Sequence, residues 1–260
     1  MNEDPRHLYD PLGDSVYQPT RLAQGPWNPA HQSGVVLAAL MTHGLECIAA
    51  PADMLMARVT LDLIRPTAFG PVEMRSRIVR DGRRQQMVEV ELWAGGDMLT
   101  ARGTGVRLRT APSPATDEPP PPPPPLDAPS FLRPNAAMGA ICEAKLLKGG
   151  LESPGPGSLW TRFDGDVVPD VPISPLVQTA MVADFGSGLS SFVDWREWTF
   201  ANVDITLHLV RAPRPGWLKL DARTMSAGNG VGLVTSDLAD DMGPFGQAHQ
   251  TLFLDARSRT

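Results

Sequence analysis

The chain has little of what several function classes depend on. Its 260 residues include only two cysteines, Cys47 and Cys142, far apart and without the spacing of a zinc site or a disulfide framework. Cys47 lies in a strongly apolar stretch, where a free cysteine is expected to act as a small hydrophobe. Basic charge is also short: 23 Lys and Arg against 29 Asp and Glu leave a net charge of −6. That balance argues against nucleic acid as a partner, which requires a basic face. No run approaches the ~18 apolar residues of a membrane helix. The segment Met1 to Asp10 is polar and has no apolar export signal, so the expected location is the cytoplasm. There is no Gly-x-Ser-x-Gly elbow and no phosphate-binding glycine loop with a lysine. The sequence therefore supports neither a covalent serine mechanism of that type nor nucleotide hydrolysis. Gly13-Asp14-Ser15 follows Leu8-Tyr9-Asp10-Pro11 rather than the apolar strand a nucleophile block needs.

Proline, by contrast, is plentiful. Seven in a row, Pro119 to Pro125, form the clearest boundary in the chain. Proline lacks the amide that a central strand or helix interior must donate. Such a run extends by roughly 3.1 Å per residue, so it spans about 20 Å. It divides the chain into a first half, 1–110, a linker, 111–134, and a second half, 135–260.

The two halves repeat one order of elements. In the first, an apolar helix from His31 to Ala50 leads to strands at Val59 to Pro66, Val72 to Val79, Gln86 to Ala94 and Leu99 to Arg109. Gly70-Pro71, Asp81-Gly82 and Gly95-Gly96 punctuate them as hairpin turns do. In the second, Ser174 is an N-cap and Pro175 the first helical residue of a helix reaching Phe185, with Gly186 at its end. Strands follow at Val203 to Arg211, Trp217 to Ser226, Gly232 to Asp240 and Gly246 to Ala256. Arg65-Pro66 and Arg211-Ala212-Pro213 close equivalent strands. A helix as apolar as Val35 to Ala50 must be buried nearly all round, and an antiparallel sheet curled about it achieves that. The expected class is α+β, a tandem hot-dog.

The order of elements resembles the double-hot-dog acyl-CoA thioesterases of type II, the thioesterase B-like group. Local matches are Leu63-Ile64-Arg65-Pro66, Val79-Arg80-Asp81-Gly82-Arg83, Ala183-Asp184-Phe185, Asp204 to Arg211, and His249-Gln250-Thr251. The resemblance implies hydrolysis of an acyl-CoA thioester by activated water, without metal or organic cofactor. It places the family's aspartate at Asp204, seven residues before Arg211, and its glutamine at Gln250. The family's hydroxyl falls on Met225, flanked by Thr224 and Ser226, and Ser226 is the expected substitute. The family's Gly-Gly-Gln at the central helix start becomes Gln32-Ser33-Gly34. Gly34 is expected to offer its amide to the substrate at a helix N-terminus.

Other roles stay open from sequence. Val203, Ile205, Leu207 and Leu209 share one face of their strand, so Asp204 on the other face also reads as a solvent-facing residue. Asp184 sits near a helix C-terminus, where the dipole disfavours an acid, and is expected to cap a loop or support the site from behind. His43 reads as a core histidine. Met225 also suits a non-catalytic acyl-binding hot-dog protein. His31 suggests an enoyl-CoA hydratase, but its acid partner five residues earlier is replaced by Pro26. A homo-oligomer is compatible with the architecture, though no seam for it is visible.

Overall fold

A computed structural model of the chain describes residues 5–51, 53–116, 118–134 and 136–257. In chain order the first half holds β1 (Tyr9–Gly13), β2 (Val16–Pro19), α1 (Gly34–Cys47), β3 (Met54–Leu63), β4 (Val72–Asp81), β5 (Gln85–Ala94) and β6 (Met98–Arg109). Beyond the prolines come β7 (Cys142–Lys148), β8 (Gly157–Phe163), β9 (Asp166–Val168), β10 (Val171–Pro172), α2 (Pro175–Asp184) and α3 (Gly186–Leu189). The chain then continues through β11 (Trp198–Asn202), β12 (Asp204–Leu209), β13 (Leu218–Ser226), β14 (Val231–Asp240) and β15 (Gly243–Ala256).

Thirteen strands form one antiparallel sheet in the order β1-β2-β4-β5-β6-β3-β12-β15-β14-β13-β8-β7, with β11 paired to β15. The halves join where β3 meets β12, with Asp62 opposite Asp204 and Arg58 opposite His208. Alternation along the strands sets the two faces. In β12, Ile205, Leu207 and Leu209 are buried, while Thr206 and His208 face outward. The inner face wraps α1 and α2. Helix α1 is buried from Val35 through Thr42 and again at Gly44 and Leu45. Each large apolar side chain so removed from water contributes about 1.5–3 kcal/mol, which is why a helix with no polar stripe is stable here.

Element ends follow from local chemistry. Ser33 and Ile48, on either side of α1, have extended backbones, so the helix is shorter than the expected His31 to Ala50. Ser174 Oγ accepts from the Val177 amide at 3.1 Å, and Pro175 opens α2. Gly186, expected as the end of that helix, instead begins the short α3. Strands β1, β2 and β7 to β11 were not evident from the sequence pattern. Cys47 is exposed rather than a core hydrophobe, with its Sγ 3.5 Å from His43 Nε2. Cys142 is buried, and burial pushes its thiol up to about 12.

Candidate active site

Helices α1 and α2 lie side by side in opposite directions. The start of α1 meets the end of α2: a side-chain carbon on Gly34 would stand 2.9 Å from Asp184 Oδ1. At the other end Ser174, the N-cap of α2, donates its hydroxyl to Glu46 Oε2 at 2.6 Å. The Val36 and Leu37 amides bond the Ser33 carbonyl, which leaves those of Gly34 and Val35 at the helix start, and the Ser33 side chain makes no cap bond to them. The Asp184 carboxylate thus sits against an uncapped helix N-terminus, across a glycine that leaves room for it.

Three side chains gather at this end of α2. Asn202, the last residue of β11, donates its Nδ2 to Asp184 Oδ1 at 2.8 Å and to the Asp184 carbonyl at 3.3 Å. Gln250, on the inner face of β15 and 1% exposed, donates Nε2 to the same carbonyl at 3.4 Å. Ser236, on β14, is buried nearby: a side-chain carbon on Gly186 would lie 3.0 Å from its Oγ and 2.6 Å from Gln250 Oε1. Among the described residues Gln250 Oε1, Asn202 Oδ1 and Ser236 Oγ are buried and have no hydrogen-bond partner within the chain. Buried polar atoms are ordinarily satisfied, so this cluster is built to receive donors from water or a ligand. Burial pushes the Asp184 carboxyl up to about 6, with the Asn202 hydrogen bond opposing the rise.

The expected site residues divide sharply. Gln250 and Gly34 both stand at this cluster. Asp204 does not: its Oδ1 accepts from the Thr251 amide at 2.8 Å on the outer face of the sheet. Gln250 is buried between exposed Thr251 and half-buried His249, so the two side chains occupy opposite faces. Strand alternation forces this separation, and the acid that joins Gln250 is Asp184. Ser226 is not at the cluster either. It closes the β13–β14 hairpin, donating to the Val231 carbonyl at 2.8 Å and accepting from the Gly228 amide. Thr224 pairs with Ser190 Oγ at 2.7 Å, and Met225 is 55% exposed. The polar group beside the acid is instead Asn202. Ala183-Asp184-Phe185 was a visible signal for the acid, because a carboxylate at a helix C-terminus is electrostatically unfavourable without a purpose. Nothing in the strand pattern pointed to Asn202 or Ser236.

Among the described residues no group of three or more His, Cys, Asp or Glu could hold a metal ion. Nor is any described helix long and apolar enough to cross a membrane.

Two family descriptions match the sequence. Residues 23–108 match the acyl-CoA thioesterase N-terminal domain, and residues 112–254 match the acyl-CoA thioesterase C-terminal domain. Among curated proteins no match was found. A solved hot-dog protein from Alicyclobacillus acidocaldarius is 18% identical, with a TM-score of 0.75 over 96% of each chain. An acyl-CoA thioesterase II from Mycobacterium marinum is 15% identical, with a TM-score of 0.71 over 97% of this chain and 96% of its own. The 12:0-ACP thioesterase from Umbellularia californica is 12% identical, with a TM-score of 0.52 over 93% of each chain. At these identities the structural likeness establishes the hot-dog fold.

Proposed function

The chain belongs to the acyl-CoA thioesterase family, and from that premise we propose that it hydrolyses acyl-CoA with a water molecule deprotonated by Asp184. The supporting observation is the convergence of one desolvated carboxylate, one helix N-terminus and two buried amide oxygens without partners. Gln250 Oε1 accepts a hydrogen bond from one proton of the attacking water and Asp184, held by Asn202 Nδ2, accepts the other, so that the lone pair faces the thioester carbon. Asp184 takes the water proton as the C–O bond forms, a contribution of typically 10²–10⁴-fold. The carbonyl oxygen, now negative, is met by the free amides at the start of α1, including that of Gly34. Collapse breaks the C–S bond and expels the thiolate, which recovers the proton from Asp184. The products are the free acid and coenzyme A, with no further reactant consumed.

Met225, on β13 and exposed, lies away from the cluster, so its replacement of the family hydroxyl does not weaken this reading. Free-thiol release from a series of acyl-CoA substrates tests the proposal. Asp184→Asn is expected to lower kcat at least 100-fold, and normal turnover in that variant would rule out the base. As Asp184 titrates near 6, kcat/KM should rise with pH as the carboxyl ionises and level off above about pH 7.

A further inference from the structure

The hairpin joining β4 to β5 carries a concentration of positive charge that the active-site chemistry does not use. A surface cavity of about 440 Å³ is lined by Arg80, Gly82, Arg83, Arg84, Gln85 and Arg109. The four arginines come from three places: the end of β4, the turn, and the end of β6. Backbone pairing holds them together, with the Arg109 amide donating to the Arg84 carbonyl at 3.0 Å. All four are exposed.

Their lack of partners sets them apart from other arginines on the same sheet. Arg75 binds Glu73 at 2.6 Å, Arg77 binds Glu89 at 2.7 Å and Arg102 binds Asp62 at 2.9 Å. Among the described residues none of Arg80, Arg83, Arg84 or Arg109 pairs with a carboxylate. The hairpin's own acid, Asp81, is engaged by Gln86 Nε2 at 3.1 Å instead. Four uncompensated guanidiniums around one cavity are unusual in a chain of net charge −6.

We infer that this cavity binds a polyphosphorylated anion. Guanidinium forks match phosphate oxygens in pairs. A single phosphate monoester carries about −1.5 to −2 at neutral pH, so four positive charges call for two or more phosphate groups. The lining has no aromatic or apolar side chain, and the phosphates themselves are therefore what is recognised. The location separates it from the proposed catalytic cluster. Arg109 pairs with Met54 at one end of β3, whereas Asp62, near the other, pairs with Asp204, which follows Asn202 of the cluster by two residues. Eight residues at roughly 3.3 Å each put about 26 Å between those levels. The inference stands independently of the proposed reaction.

Calorimetric titration of the full chain with tripolyphosphate at low salt tests it. One-to-one binding is expected, weakened by added salt and at least tenfold weaker in the R83A/R84A/R109A variant. The variant's unfolding midpoint and its kcat for thiol release should be unchanged, since these side chains are exposed and remote from Asp184. R75A, which removes a paired arginine, should bind as the parent does. Competition by ATP but not by coenzyme A would assign the site to free nucleotides. Competition by coenzyme A would assign it to a phosphoadenosine end. Absence of saturable binding, an unaffected triple variant, or an equal loss in R75A would overturn the inference.

Discussion

The two ends of the α1–α2 pair are built from similar parts and finished in opposite ways. At one end Asp184 meets the start of α1, Asn202, Gln250 and Ser236 gather at the end of α2, and three buried oxygens among them have no partner. At the other, the groups around Arg107 and Ser174 are tied to one another. Arg107 donates to the Leu45 carbonyl at 2.8 Å, to the Ala49 carbonyl at 3.3 Å and to Gln86 Oε1 at 2.7 Å. Gln86 Nε2 reaches Ala49 and Asp81, while Ser174 both caps α2 and binds Glu46. A satisfied network fixes structure, whereas an unsatisfied one in the same fold costs stability and leaves valences for chemistry. That difference is what favours the open end as the proposed site.

Breaking the tied-off end should have the largest effect on stability. Arg107 is 5% exposed, and Arg107→Met would strand buried carbonyls at the end of α1 while relieving the burial of one charge. Each stranded acceptor costs about 1–3 kcal/mol. The expected net loss is about 3 kcal/mol by urea denaturation, with the shape of the pH–rate profile unchanged. A shifted profile would mean that the two ends are coupled.

The open end should respond in the opposite sense. The folded-state value of Asp184, about 6, lies above the ordinary 3.8. Because the unfolded chain ionises this carboxyl first, the fold loses stability as pH rises from the ordinary value to the folded one, and the loss is complete above it. The shift corresponds to at most about 3 kcal/mol, and partial exposure reduces this to about 2 kcal/mol. Asp184→Asn should therefore stabilise the protein by about 2 kcal/mol at pH 8, and the gain should shrink through pH 6 and vanish below pH 4. Equal gains at pH 8 and pH 4 would show that the carboxyl is not desolvated.

Much of the scaffold was legible because periodicity and turn chemistry are local. Ser174-Pro175, the all-apolar face count of α1 and the Gly-rich hairpins state their conformations in a few residues. Gln250 and Gly34 were legible through the family resemblance. The resemblance pointed to Asp204 through its seven-residue spacing to Arg211, whereas the proposed base is Asp184, on another element. Only the packing of the end of α2 against the start of α1 brings Asp184 forward, and that contact spans 150 residues, which no local pattern encodes. Asn202 was hidden for the same reason: it acts through a carboxylate that the chain reaches from another element.

The smallest effect sharpens the comparison most directly, since it asks whether the outer face contributes to turnover at all. Asp204 is held on that face by the Thr251 amide, and its strand neighbour across the junction is Asp62. In Asp204→Asn the new amide oxygen still accepts from Thr251, so the hydrogen bond survives without its charge. The facing pair loses one of two negative charges, and Asp62 keeps its own partner in Arg102 at 2.9 Å. These changes oppose one another, so stability should move by less than about 1 kcal/mol. Thiol release should stay within threefold of the parent, because nothing that touches the Asp184 cluster has been altered. A loss of 100-fold in this variant, with a normal unfolding curve, would move the catalytic base to the outer face and make the buried cluster a structural one.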